Sequence, residues 1–167
     1  MFLEASKILK KPLAGIEEQS KIGEICDILI DPDKGLVLGY LIKGGLLGDL
    51  KVLPISDIVS YDDEGVVTKT SENLIKPEAM ERIQKLMGDN IKILDAPVST
   101  ESGERIGKVN DFIVDTQLGN ITKYMISGIN KSLIVDHDQI VEINPKQIIV
   151  KDGLEMPKET ETAEIVA

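Results

Sequence analysis

The sequence predicts a mainly β protein made of two tandem small barrels that are joined by a short helix. The first observation is an internal repeat: residues 22–44 align without a gap with residues 106–128, at an offset of 84, and eight of the 23 positions are identical. A self-match at a fixed spacing indicates a duplicated structural unit. The second observation is that aromatic residues make up only 3% of the chain, so the cores must consist of Ile, Leu and Val, and the β-branched residues among these favour strands.

The repeat divides the 167 residues into two domains. The predicted boundaries are a first barrel at 1–76, a helical connector at 77–89, a second barrel at 90–153 and an acidic, disordered tail at 154–167. Domains of this size bury a modest core and are only marginally stable alone. We therefore expect the halves to support each other, or a partner to support both.

Each half opens with a segment that contains Pro and continues into a predicted β-hairpin. The paired strands are 22–31 with 36–43 in the first half and 106–115 with 120–127 in the second. Each turn begins with Asp and ends with Gly, at Asp31 to Gly35 and at Asp115 to Gly119. This composition is typical of turns, because an Asp side chain accepts bonds from nearby amides and Gly adopts positive φ.

The later strands of each half follow with shorter spacing. They are predicted at 51–60 and 66–69 in the first half, and at 132–135, 138–143 and 147–151 in the second. The offset falls from 84 to 82 after the hairpin, so the intervening loop of the second half is two residues shorter. Five or six short strands with tight turns predict a closed or nearly closed barrel, which leaves few open edges.

A helix is predicted between the halves, at residues 77–87. Pro77 suits its first turn, acidic residues come early, and Gly88 is expected to end it. Met80, Ile83 and Met87 form one apolar stripe at helical spacing, and we expect this stripe to pack on a barrel.

Both hairpins carry the motif Ile-Gly-x-(Ile/Val)-x-Asp-(Ile/Phe)-x-(Ile/Val)-Asp, followed by a Gly turn and a strand. The motif resembles the hallmark of PRC-barrel domains, small β-barrels named after the cytoplasmic domain of the photosynthetic reaction-centre H subunit. A related domain forms the C-terminal half of a bacterial ribosome maturation factor. The resemblance covers residues 3–70 and 90–151. The segment 52–59 also resembles a later strand of the family, but the second half departs there, with Asp136 where the first has Pro54.

The resemblance implies a non-enzymatic module that docks onto other proteins or ribonucleoproteins, without one shared active site. The Ile-Gly and Asp positions of the motif are interpreted as architectural. Gly23 and Gly107 would permit tight backbone geometry, and Asp27 and Asp111 would cap nearby amides.

The net charge of −10 argues against two classes of partner. The chain has no basic block that could neutralise phosphates, so direct nucleic-acid binding and anionic membrane surfaces are both disfavoured. No apolar run approaches 18 residues, and the first residues lack a long apolar core, so we expect no transmembrane segment and a cytoplasmic location.

The sequence offers little for catalysis, cofactors or metals, and we predict none of these. His137 lies between Asp136 and Asp138, but no second His or Cys stands near, and a surface turn or strand end is favoured over a metal site. The single cysteine, Cys26, lies in a strand pattern and is interpreted as a small buried hydrophobe.

Two loops superficially resemble ligand-binding loops. The turn at 31–35 has Gly at position 5 and Ile42 at position 12, which does not fit an EF-hand, so a hairpin turn is favoured. The Gly-rich loop at 44–49 lacks a following Lys-Ser/Thr, so a phosphate cradle is disfavoured.

This loop carries the candidate partner contact, Leu46 and Leu47, where the second half has residues 129–131. Either the leucines fold back on their own barrel, or they form a contact surface for a protein partner or a second copy. The leading interpretation of function is a cytoplasmic adaptor or assembly module. The alternative is a ribosome- or RNA-associated maturation factor that docks on a basic ribosomal protein. An enzyme is disfavoured, since no convergent set of Ser, His, Cys and acids is visible.

Overall fold

The computed structural model describes residues 1–154 and contains two sheets, one for each copy of the repeat. The strands are β1 (Phe2–Glu4), β2 (Pro12–Gly15), β3 (Ser20–Asp31), β4 (Leu36–Gly44), β5 (Asp49–Pro54), β6 (Ile58–Asp62), β7 (Gly65–Thr68), β8 (Pro97–Thr100), β9 (Arg105–Asp115), β10 (Ile121–Gly128), β11 (Lys131–Asp136), β12 (Ile140–Ile143) and β13 (Ile148–Val150). The α-helices are α1 (Ala5–Ile8) and α2 (Glu81–Asp89). The mainly β class with two tandem barrel-like domains is confirmed.

The two sheets have the same topology. The first has the strand order β5-β4-β3-β2-β7-β6, and the second has β11-β10-β9-β8-β13-β12 with β1 added beside β9. The pairs β2–β7 and β8–β13 are parallel and the other pairs are antiparallel. A 3-10 turn links the end strands of each sheet, at Ile55–Asp57 between β5 and β6 and at His137–Gln139 between β11 and β12. Each half is therefore a nearly closed barrel.

The hairpin turns form as predicted. The Asp31 carbonyl accepts a hydrogen bond from the Gly35 amide at 2.8 Å, and the Asp31 carboxylate accepts one from Asp33. Asp115 and Gly119 repeat the backbone bond at 2.7 Å, and both glycines have positive φ, +63° and +82°. The hairpin-turn interpretation of this segment is confirmed.

The connector consists of a 3-10 turn at Pro77–Ala79 followed by α2, which ends at Asp89 rather than at Gly88. Ile83 is buried and Met87 is half-buried, and both pack on a separate apolar cluster of Leu29, Leu41 and Val52 on the outside of the first barrel. The docked stripe is thus confirmed for these two residues. Met80, the third residue of the predicted stripe, is instead exposed.

The N-terminal residues correct the predicted domain boundary. Residues 1–76 were expected to form the first barrel, but β1 pairs with β9 of the second sheet, where Leu3 lies opposite Val114. The physical reason is the length of β9. On one side of this strand, β8 pairs only with the first residues, up to Lys108, so the last residues of β9 are left for β1 to pair with.

The segment before the second barrel makes the reciprocal crossing. Residues 81–92 pack against β3 of the first barrel, and Lys92 Nζ donates to Asp27 Oδ2 at 2.7 Å. In the other direction, the backbone N–H and the hydroxyl of Ser6 both donate to the carboxylate of Asp111. Each barrel is therefore held by an arm, the chain segment that precedes the other barrel in the sequence. The motif aspartates cap amides as expected, since each also accepts the amide of the next residue.

The two hairpin turns also contact each other in a reciprocal way. The Val37 amide donates to the Gly119 carbonyl at 2.8 Å, and the equivalent Ile121 amide donates to the Gly35 carbonyl at 3.1 Å. Reciprocal contacts between equivalent residues are the mark of a two-fold relation. The halves are thus related by a pseudo-twofold axis that passes between the turns.

One large cluster of buried side chains runs through both halves. Its largest buried side chains are those of Tyr40 in the first barrel and of Tyr124 and Phe112 in the second. A shared core makes the two barrels parts of one packed body. The prediction of a disordered tail concerns residues that, from 155 onward, lie outside the described part of the chain.

Candidate functional site

The predicted partner contact lies at the tip of the β4–β5 hairpin. Leu46 and Leu47 occupy a four-residue turn, and both side chains are fully exposed, at 105% and 88%. The fold-back alternative is therefore wrong, because neither leucine packs on the barrel. Leu50, the second residue of β5, is also exposed and extends the apolar surface toward the sheet.

The strands below the turn hold this tip in place. Gly44 pairs with Asp49 and Lys43 pairs with Leu50, so the ladder continues up to the first residue of the turn. The turn itself is closed by a hydrogen bond from the Gly48 amide to the Gly45 carbonyl at 3.3 Å. We define Leu46, Leu47 and Leu50 as the leucine tip. Such a tip presents apolar side chains on a fixed frame.

The second barrel has a shorter tip at the same place. β10 and β11 are joined by two residues, Ile129 and Asn130, which confirms the predicted loss of two residues. This tip also carries an exposed aliphatic side chain, since Ile129 is 92% exposed. The two tips thus differ in the number of exposed aliphatic residues.

The ends of the barrels beside these tips also differ. A cavity of about 360 Å³ opens in the second barrel, and its apolar lining includes Ile106, Ile129, Leu133 and Leu154. The corresponding cavity of the first barrel is about 110 Å³, and Leu74 lines it. Among the described residues, the polar side chains of the larger cavity are those of Thr100, Glu104, Arg105 and Lys131. These groups do not form a nucleophile–base pair.

Each barrel buries one tyrosine with a hydrogen-bonded partner. The Tyr40 hydroxyl lies 2.9 Å from that of Tyr61, and the Tyr124 hydroxyl lies 3.0 Å from His137 Nδ1. Burial raises the pKa of Tyr40, Tyr61 and Tyr124 above the ordinary value, so the phenols stay neutral. His137 begins the 3-10 turn after β11, which confirms the prediction of a strand end. Both pairs satisfy a buried tyrosine hydroxyl inside its barrel and so support the fold.

The structure corrects the prediction for the single cysteine. Cys26 was expected to be buried, but it is exposed, because it shares the outward side of β3 with Glu24 while Gly23 and Ile25 point inward. The Cys26 thiol donates to the Leu41 carbonyl at 3.4 Å. Desolvation and the nearby Asp27 charge raise the pKa of the thiol, so it is not an activated nucleophile.

Residues 1–154 lack the features of two further classes of site, a metal centre and a membrane-crossing helix. In this range, no group of three or more His, Cys, Asp or Glu side chains is placed to hold a metal ion. Neither α-helix of the same range has the length and the apolar character that a membrane crossing requires.

The fold and its repeated hairpins agree with the comparison to known families. The family model of the PRC-barrel domain matches residues 1–74 and again residues 92–156. The chain belongs to the PRC-barrel domain family. The predicted resemblance is thereby confirmed, and the two matches make this a tandem PRC-barrel protein. PRC-barrel domains are small β-domains that often take part in protein interaction and are generally not catalytic. No curated protein matches the chain.

The edge strands of the two sheets differ at one position that the sequence already marks. Asp136 stands where the first barrel has Pro54, and both residues end the strand at the edge of their sheet. A proline at a strand edge removes a backbone donor, so its replacement was a signal that the two edges differ.

Proposed function

We propose that this tandem PRC-barrel protein is a non-enzymatic cytoplasmic adaptor, or assembly module, that binds another protein through the leucine tip. The observation that carries the proposal is the exposure of Leu46 and Leu47 at the tip of a hydrogen-bonded hairpin. Adjacent exposed aliphatic residues at a fixed position are a recurring feature of contact surfaces. The frequent role of the family in protein interaction supports the same conclusion.

The expected binding free energy suits an interface in which the two tip leucines are the central anchor and weaker contacts surround them. Burial of a leucine side chain contributes about 1.5–3 kcal/mol, so the two tip leucines together supply a useful part of a typical binding free energy. A few apolar anchors usually dominate an interface, while the polar surroundings exclude water and set specificity.

The charge of the protein indicates which surfaces its partner would present. With a net charge of −10, the chain attracts proteins with basic surfaces and repels acidic ones. A basic ribosomal protein would satisfy this condition, so a maturation factor that docks on the ribosome is the outcome to compare with a dedicated partner.

The test is affinity capture of full-length protein from cell extract, followed by mass spectrometry. The variant Leu46→Ser with Leu47→Ser should lose the captured partner while its thermal unfolding stays unchanged, because neither side chain packs on the barrel. Ile129→Ser is the matched control, since it removes an equally exposed aliphatic residue from the tip of the second barrel, and it should retain the partner.

Each result decides between the alternatives. One stoichiometric, non-ribosomal protein that the double variant loses would support the adaptor. Recovery of ribosomal proteins in a salt-sensitive manner would favour the maturation factor. If the double variant captures the same proteins as the wild type and keeps its oligomeric state, the leucine tip is not the contact.

A further inference from the structure

The outer edge of the first barrel is protected twice. The Ile75 amide donates to the Val52 carbonyl at 2.8 Å, and the Val52 amide donates to the Ile75 carbonyl at 2.7 Å, so residue 75 covers the middle of β5. Pro54 ends β5 and has no amide hydrogen to offer. Covering a strand and placing proline on it are two ways in which proteins prevent edge-to-edge pairing.

The strand register identifies the equivalent residue of the second barrel. Leu41 lies opposite Val52, and its repeat equivalent Met125 lies opposite Ile134, so Ile134 takes the place of Val52. Within residues 1–154, no residue bridges Ile134 from outside the sheet. The first form of protection is therefore missing from the described part of the second barrel.

The second form of protection is missing as well, since Asp136 replaces Pro54 and keeps its amide. Backbone groups of alternate residues on an antiparallel strand point to opposite sides. The Val52 groups point away from β4, so the groups of Ser132, Ile134 and Asp136 point away from β10. Within residues 1–154, β11 thus offers three residues with outward amides and carbonyls.

The sequence of β11 is complementary to itself in the antiparallel direction. Pairing centred on Ile134 places this residue opposite its own copy and places Ser132 opposite the second copy's Asp136. The three pairs would exchange about six backbone hydrogen bonds. The serine hydroxyl can donate to the carboxylate opposite it, and no pair places like charges together.

The side chains on the outer face of the sheet fit the same pairing. Met125 and Ile134 lie opposite each other and are half-buried, with their side chains on the outer face. In the antiparallel pair, the two copies would align Met125, Ile134 and their equivalents in one continuous apolar row across four strands. Cross-strand apolar pairs of this kind stabilise sheets.

We propose that two copies of this chain form a homodimer by antiparallel pairing of their β11 edges, which joins the two second sheets into one. The proposal uses a different barrel and a different surface from the leucine tip. The partner-binding proposal and the dimer can therefore fail independently of each other.

The test is sedimentation of the full-length protein over a range of concentrations. Wild type should approach twice the chain mass of 18.3 kDa at high concentration. Asp136→Pro removes an outward amide and should weaken the dimer about tenfold or more, because symmetry removes two backbone hydrogen bonds. Proline is compatible with this place in the fold, since Pro54 occupies it in the first barrel.

The matched control is Asp136→Ala, which loses the same ion pair with Lys123 but keeps the amide. This variant should sediment as the wild type does. Hydrogen exchange gives a second readout, in which the amides of Ser132 and Ile134 should become protected as the concentration rises. The Leu46→Ser, Leu47→Ser variant should keep the dimer.

Three results would overturn the proposal. The first is a monomer at every concentration, and the second is a dimer that Asp136→Pro and Asp136→Ala weaken equally. The third is a full-length monomer that dimerises only after removal of residues 155–167, because the protein's own tail would then be the occupant of the edge.

Discussion

Replacement of Asp111 with Ala is expected to lower the free energy of unfolding by about 2–4 kcal/mol. The Asp111 side chain is only 6% exposed, and its carboxylate accepts hydrogen bonds from the Ser6 amide at 3.1 Å, the Ser6 hydroxyl and the Phe112 amide at 2.9 Å. Its removal leaves these donors without their acceptor and releases the N-terminal arm from the second barrel. Urea denaturation of the full-length protein measures the loss.

The repeat supplies the control for this prediction. Asp27 is the equivalent residue, but it is partly exposed and accepts from Lys92 and the Ile28 amide. Asp27→Ala should therefore cost only about 1 kcal/mol or less. Asp111→Asn keeps an acceptor oxygen and should lose less than Asp111→Ala. Equal losses for Asp27→Ala and Asp111→Ala would contradict the role assigned to the arm.

The second large effect is expected for Gly107→Ala, with a loss of about 2–4 kcal/mol in the free energy of unfolding. Gly107 has a φ of +150°, and an added Cβ would lie 2.2 Å from the Ser127 carbonyl oxygen. That oxygen belongs to the backbone of β10, which pairs with β9, so it cannot move away without disturbing the ladder. Thermal and urea unfolding both measure this loss.

Gly88→Ala is the matched substitution at an open position. Gly88 lies within α2, and an added Cβ meets nothing within 4 Å. The change should raise the free energy of unfolding by up to about 1 kcal/mol, because Ala forms helices better than Gly. A Gly107→Ala protein as stable as the wild type would show that the β9–β10 ladder yields at this point.

The sequence predicts most of the local structure of this PRC-barrel protein. The hairpins follow from alternating aliphatic residues and from turns such as Asp31 to Gly35, because such turn chemistry acts over a few residues. The same local chemistry carries the family motif. The prediction fails at Cys26, because its place on the outward side of β3, beside Glu24, outweighs the apolar character of its neighbours in the sequence.

The crossed arms could not be predicted in this way. β1 has three residues, and its partner on β9 lies more than a hundred residues away along the chain. The repeat provides two equivalent long strands, and local patterns do not decide which of them an arm will cover. The leucine tip left two alternatives open for a related reason, since an apolar loop can pack inward or face solvent. Only the long-range arrangement of the strands decides between them.

The central claim is that the two barrels form one packed body, held by crossed arms and a shared core. Amide hydrogen exchange in the Asp111→Ala variant tests this claim most directly. The substitution lies in the second barrel, yet the slowest amides of β4, in the first barrel, should lose as much protection as those of β10. If protection falls in β10 while β4 keeps its wild-type exchange rates, the barrels are independent units and the claim is contradicted.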